Sequence, residues 1–504
     1  MERKSGRRLP SSAQMGGAPM EVRPGRRLRS AEPQLCSPSV GGGGEPDRIS
    51  SLPDELILLI LTLIGCTATA ARTSVLSRRW RDLWIHLRRI VFHNIAPSAA
   101  SAIGRVRGPA PAVSLLEVRI PSRHLGPFGA TASRLLRAAV RLEPEEIVLS
   151  FPWSVEFEAR QLNLVRLPCF RRTTSLTMER LLFYCPDGEG EFTALRTLSI
   201  SYGLGGLHSL LPRCPHLRVL SLKFVNDGFG LVQNGSISLH LPSLQELLLE
   251  TSIVHTDAID IVAPLLKRLT VSFGTYKTVS SIAISAPMAD KVSWEWWYFG
   301  ARSSVQFGLW SLQRLWLHTG ERGGQLPSLH IHASRSWFIS NEDTFAHEVE
   351  KHMVYDFSVL ELHLLKSGHV FGALVFHLLG IIRLSRNIQR LKIVLEKSML
   401  KGKCSPHCTC EPTNWRSQTI SLTALEEVEI NGFKGQEHEF DLLKLLLKCA
   451  PVLKKMIVQL SHEASSNNSA SAKIYKICRA YSSVECYVYE SSGLMHGSQI
   501  SPLT

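Results

Sequence analysis

Residues 192–271 repeat one phrase four times: FTALRTLSI (192–200), CPHLRVLSL (214–222), LPSLQELLL (241–249) and APLLKRLTV (263–271). Each copy carries apolar residues in the spacing L-x-x-L-x-L, as Leu195/Leu198/Ile200, Leu217/Leu220/Leu222, Leu244/Leu247/Leu249 and Leu266/Leu269/Val271. The last two residues of each trio alternate, as a strand with one buried face requires, and the first lies on the approach to it. Pro215, Pro242 and Pro264 stand two residues before the first marked Leu in three of the copies and end the preceding segment, because proline restricts the residue before it. The copies recur every 22 to 27 residues, and weaker ones follow at Ala289/Val292/Trp294 and Leu312/Leu315/Leu317. Fainter copies lie upstream at Val113/Leu116/Val118 and Thr173/Leu176/Met178. This interval is the period of leucine-rich repeats, about 20–29 residues. It predicts a solenoid of parallel strands over residues 110–335, with residues 206–213 and 258–262 supplying short helices or irregular crossovers.

Before the repeats, residues 47–87 read DRISSLPDELILLILTLIGCTATAARTSVLSRRWRDLWIHL. Ser51, Pro53 and Asp54 form a helix-start signal. The run 56–64 is apolar except for Thr62, so this helix has no free polar face and needs cover on nearly every side. Trp80, Leu83, Trp84 and Leu87 keep helical spacing among Arg78, Arg79, Arg81 and Arg88. Three short helices bury too little surface to stand alone, so the surplus apolar surface wants a partner. LPDELILLIL followed by RTSVLSRRWRDLW resembles the F-box of plant F-box proteins. The resemblance implies docking on the Skp-type adaptor of a cullin–RING ubiquitin ligase through Leu52, Pro53, Ile57, Ile60, Val75, Leu76, Ser77 and Trp80. The link 64–69 is one residue longer than in many relatives and carries no charge.

Beyond residue 356 the pattern loosens. Phe357/Leu360/Leu362 and Ile388/Leu391/Ile393 bracket an apolar, helical segment at 370–384, and Leu425/Val428/Ile430 and Leu453/Met456/Val458 are further strand units. Residues 440–447 have the spacing of a crossover helix. A Cys-rich link with Pro412 and Trp415, then LEEVEI-x-GF-x-G, then LLKLLLKCAPVLKKM, resembles the FBD domain that follows the repeats in many plant F-box proteins. The reading divides the chain into a disordered basic tail (1–46), an F-box (47–92), leucine-rich repeats (110–335), an FBD domain (356–460) and a C-terminal extension (461–504). The fold class is mixed α/β: a three-helix F-box, then an irregular solenoid of parallel strands and short helices.

The formal net charge of +14 suggests nucleic acid, but its distribution argues against it. Eight Lys/Arg against three acids lie in the Gly/Pro/Ser-rich stretch 1–44, and others crowd the F-box helices. No basic stripe interleaved with aromatics appears elsewhere. The run 23–29, RPGRRLR, reads as a solvated basic tail ahead of a nuclear-import signal. Eleven scattered cysteines without a signal-peptide pattern fit free thiols in the cytoplasm or nucleus. The apolar runs 56–64 and 370–382 are shorter than the roughly 18–20 residues a membrane span needs.

No nucleophile elbow, Walker A loop or HExxH motif is present, so no catalytic residue and no cofactor are expected. Cys404, His407, Cys408 and Cys410 are too tightly spaced for a familiar zinc finger and read as a reduced, loop-packed cluster, with no metal. His330 and His332 alternate onto one strand face and read as solvated polar residues. Trp294 and Trp296 share a face opposite Trp297, and are candidate substrate-binding rings if exposed, or packing between repeats if not. Together these features predict a substrate receptor of an SCF-type ubiquitin ligase, joined through the adaptor to cullin and holding a protein target on its repeats. The alternative is a repeat-based interaction scaffold outside ubiquitin ligases.

Overall fold

Two apolar ladders run across one long sheet, and each repeat unit supplies a rung to both. In the computed structural model the first ladder is Ile90, Leu116, Ile147, Leu176, Leu198, Leu220, Leu247, Leu269 and Val292, side by side on neighbouring strands. The second is Phe92, Val118, Leu149, Met178, Ile200, Leu222, Leu249, Val271 and Trp294, and every rung of both is buried. Alternation sends the residue between the two rungs to the opposite face.

The structure describes residues 49, 51–93, 99–106, 113–119, 128–151, 164–186, 188, 190–202, 206–224, 232–233, 236–251, 258–275, 278–299, 305–319, 326–336, 344–366, 368–396, 408–465 and 469–490. The whole of the expected tail, together with Cys404 and His407, lies outside them. The chain divides into a short unit ending at Leu52 and one body from Pro53 onward.

The ladder strands are β1 (Arg89–Phe92), β2 (Leu115–Arg119), β3 (Glu146–Ser150), β4 (Ser175–Glu179), β5 (Thr197–Ser201), β6 (Val219–Lys223), β7 (Glu246–Thr251), β8 (Arg268–Thr275) and β9 (Lys291–Tyr298). All pair in parallel. Then the direction breaks. β10 (Trp310–His318) runs antiparallel to β9 and to β11 (Ser328–Arg335). The unit Leu312/Leu315/Leu317 is therefore a reversed strand and not another parallel repeat. Its flanking links, 299–309 and 319–327, are too short for the crossover of a dozen or more residues that a parallel return needs. The apolar spacing survives reversal, since a strand alternates in either direction, and Leu312, Leu315 and Leu317 are all buried.

Parallel pairing resumes through β12 (Val359–Leu365), β13 (Arg390–Glu396), β14 (Glu427–Phe433), β15 (Lys455–Leu460) and β16 (Glu485–Tyr489). The crossovers are partly as expected. Leu207–Leu210 is a short helix, but Ala258–Val262 is a strand, paired in parallel with Ser236–His240 and Ser281–Ser285 in a second sheet. Its sequence AIDIV alternates with two β-branched isoleucines facing inward, which suits a strand better than a helical turn.

At the N-terminal end, α1 (Asp54–Leu63) and α2 (Thr67–Arg72) lead through short 3-10 turns into β1. The third helix shrinks to the 3-10 turn Leu83–His86, with Trp80, Leu83, Trp84 and Leu87 still turned inward. Thr67 Oγ1 accepts the Val91 N–H at 2.9 Å, tying α2 to the first strand of the sheet. The helical unit therefore continues directly into the solenoid.

Candidate functional site

Two surfaces stand out. The first is the outer side of α1. Ile57 and Leu61, one turn apart, face inward and are buried. Leu56, Leu59, Ile60 and Leu63 follow the i, i+3, i+4, i+7 pattern on the other side and are exposed at 45, 53, 36 and 76%. Val75 and Leu76, at 88 and 65%, add to this apolar surface beyond α2. Arg79 reaches Asp54 Oδ1 with both Nε, at 2.7 Å, and Nη2, which fixes the start of α1 against the loop before Trp80. So many large apolar side chains in the open mark a protein-docking surface.

The eight residues expected to face an adaptor divide unevenly over this geometry. Pro53, Ile60, Val75 and Leu76 are exposed, Ser77 is half-buried, and Leu52 ends the separate N-terminal turn with its N–H on the Ile49 carbonyl. Ile57 and Trp80 are a correction: they are 0 and 5% exposed and build the helical unit's own core. Leu56, Leu59 and Leu63 were missed, because an all-apolar helix does not reveal which stripe its neighbours will cover.

The second surface lies where β8 to β11 lengthen to eight or nine residues, against five in most earlier ladder strands. The extra length adds a row of open-face side chains. Arg314 lies between Trp297 and Trp316, its guanidinium carbon 4.0 and 4.3 Å from the two ring centres, and pairs with Glu295. Trp316 in turn stacks on His330 at 4.4 Å, and His332 stacks on His363 at 4.1 Å. His363 bonds Glu361 at 2.8 Å through Nε2 and Glu396 at 3.2 Å through Nδ1. Burial opposes the charged form of this ring, but its two carboxylate partners outweigh that and raise its pKa. His330 and His332 go the other way. Burial, with their cationic neighbours, pushes each down to about 4, so both rings are neutral at pH 7.

Trp294 and Trp296 are not on this surface. Both are 0% exposed, while Trp297 is 38% exposed. The alternation is as the sequence implies, but the shared face of the pair is the core side, covered by α3 (Phe345–Lys351) and its flank. There Trp294 Nε1–H donates to His352 Nδ1 at 3.0 Å, leaving Nε2–H of that ring to donate to the Tyr298 hydroxyl at 2.9 Å. Tyr298 donates onward to Glu348 at 2.9 Å. The relay satisfies a buried imidazole and carboxylate, and makes the pair packing and not a binding site.

The Cys-rich link reaches an unforeseen partner. Cys408 and Cys410 come within metal-ligand range of His369, from the loop after β12. Two other groups reach similar range, His330/Glu361/His363 and His332/His363/Glu396. Both include His363, whose two ring nitrogens are already held by Glu361 and Glu396.

An F-box family model matches residues 49–92 and an FBD family model residues 422–458. Among curated proteins of Arabidopsis thaliana, an F-box/FBD/LRR-repeat protein is 30% identical over 215 residues, 40% of this chain and 44% of its own. An F-box/LRR-repeat protein is 27% identical over 253 residues, 45% and 64%. An FBD-associated F-box protein is 28% identical over 222 residues, 41% and 51%. The chain carries an F-box and an FBD, and is similar to F-box/FBD/LRR-repeat proteins. The matches span about half the length of these relatives.

The F-box model covers α1, α2 and β1, so the exposed apolar stripe is a feature of the F-box. F-box proteins generally serve as substrate adaptors of SCF ligases. The FBD motif also acquires a structural meaning. In GFKGQEHEF (432–440), Gly432 takes φ +82°, where a side chain would strike the Leu395 carbonyl oxygen. Gln436 and Glu439 then form a capping box on α5 (Glu437–Cys449). Glu439 accepts the N–H groups of Lys434 and Gln436 at 2.9 and 3.0 Å and pairs with buried Lys366 from the end of β12. Among the described residues no helix is long and apolar enough to cross a membrane.

Proposed function

We propose that this chain is the substrate receptor of an SCF-type ubiquitin ligase, docking a Skp-type adaptor on the F-box and a target protein on the open sheet face. The observation that carries the reading is the exposed stripe Leu56, Leu59, Ile60, Leu63 with Val75 and Leu76, inside a matched F-box. An adaptor would cover that stripe and connect the chain to cullin. The target would meet the sheet at Trp297, Arg314 and Trp316, since Trp and Arg on a preorganised surface are the residues that dominate protein interfaces. Catalysis would be by proximity: holding the target near the charged conjugating enzyme raises its effective concentration, with no covalent step on this chain. Such a chain acts in the cytoplasm or nucleus, where the other ligase subunits reside.

Affinity capture with two variants tests the reading. Val75→Asp/Leu76→Asp is expected to lose the adaptor but keep sheet-bound proteins, and Arg314→Ala/Trp316→Ala the reverse. Capture of the same partners by the F-box variant, adaptor included, would contradict it and favour a scaffold outside ubiquitin ligases.

A further inference from the structure

The link that precedes the FBD strand unit is pinned in place at its far end. Trp415 is 0% exposed and donates from Nε1 to Glu411 at 2.8 Å. It packs on α4 (Gly372–Leu379) at Gly372, where any side chain would collide with its ring. Arg416 holds the same turn through Glu411 at 2.9 Å and Asp441 at 3.0 Å. This anchoring brings residues 408–410 onto the loop that leads into α4, and so onto His369.

There, Cys408 Sγ lies 3.2 Å from His369 Nδ1, and these two atoms and Cys410 Sγ are all within 4.8 Å of one another. His369 is 6% exposed and Cys410 3%. Zinc bonds of about 2.3 Å to sulfur and about 2.0 Å to nitrogen, at tetrahedral angles, set donors roughly 3.5–3.8 Å apart. The Cys408–His369 distance of 3.2 Å is within a few tenths of an ångström of that spacing, and neither distance to Cys410 Sγ exceeds 4.8 Å. Two sulfurs and an imidazole from separate segments are the soft-to-borderline donor set zinc prefers, unlike the carboxylate-bound histidines on the sheet face.

We propose that His369, Cys408 and Cys410 bind one Zn²⁺ ion, which clips the link before the FBD strand unit to the loop entering α4. Both thiols give up their protons to solvent on binding, and the thiolates and imidazole donate to the metal with no redox change. The role is structural: the clip closes a loop of about forty residues and stabilises the FBD half of the solenoid.

The test uses the full chain, purified without chelator, with zinc, copper and iron measured per chain. About one zinc per chain is expected, falling at least tenfold in His369→Ala and in Cys408→Ser/Cys410→Ser. Because a variant of a buried site can misfold, the second readout uses the wild type. After zinc removal it is titrated with Co²⁺, and thiolate-to-cobalt charge transfer and tetrahedral d–d bands should saturate at one equivalent. Metal-free chain should also melt at a lower temperature and recover on adding zinc. Absence of zinc together with absence of the cobalt bands overturns the proposal. So does zinc that survives in the double cysteine variant, or a site filled by copper or iron alone. Adaptor capture by the metal-free chain separates this clip from the F-box reading.

Discussion

At the scale of single residues, exposure separates side chains that build the F-box from those that present it. Trp80 is 5% exposed, so Trp80→Ala should act through folding, lowering stability by about 3–5 kcal/mol. Val75→Asp, at a residue 88% exposed, should leave the melting temperature unchanged. Thermal denaturation of the two variants side by side distinguishes them. Lys366 and Glu439, 4 and 0% exposed, form a buried ion pair inside the FBD turn. Lys366→Ala leaves the carboxylate without its cation and should cost about 3–5 kcal/mol, whereas Lys366→Ala/Glu439→Gln should recover part of that loss in the same denaturation assay.

The sheet-face histidines give a pH signature. His330 and His332 titrate at about 4 in the native chain against 6.5 when unfolded. Between those values the unfolded state binds more protons, so the stability they permit is complete above pH 6.5 and is lost as pH falls toward 4. His363 has the opposite sign, its contribution present below pH 6.5 and lost as pH rises through its raised native value. His330→Phe/His332→Phe should therefore flatten the acid side of the stability–pH curve between pH 6.5 and 4, measured by denaturant melts across that range.

Among elements, the repeat spacing made the strands legible because each trio places two residues on one buried face, and two short-range positions suffice to define a rung. Leu198 and Ile200, Leu391 and Ile393, and Met456 and Val458 all sit on ladders as their spacing implies. Direction was not legible. Leu315 and Leu317 alternate equally well on the reversed β10, and only the lengths of the flanking links hint at the turn. Sidedness was legible in kind but not in sense: alternation separated Trp297 from Trp294 and Trp296, yet could not say which face α3 would cover. The same gap hid the outer stripe of α1 and the meeting of His369 with the Cys-rich link, a contact made across 39 residues. The reversed strand also shapes the open face, because it brings Arg314 opposite Trp297 and His332 in register. Arg314→Ala should weaken target capture at least tenfold, measured by binding of captured target to purified chain, while adaptor binding stays unchanged.

For the molecule as a whole, the F-box and the solenoid form one structural run, α1 and α2 passing into β1 and β1 into the sheet through its pairing with β2. Under the proposed function, a target on the sheet face would be oriented relative to the adaptor through packed structure at that junction. The N-terminal helix, too apolar for so small a unit, divides cleanly: Ile57 and Leu61 are buried in the chain's own core, and Leu56, Leu59, Ile60 and Leu63 form the exposed stripe proposed to meet the adaptor. The most direct measurement of this account is calorimetric titration of the purified full chain with a purified Skp-type adaptor, wild type against Leu59→Asp/Leu76→Asp. The account expects one-to-one binding by the wild type and at least a hundredfold loss in the variant, with matching melting temperatures. Equal affinity for both chains would contradict it.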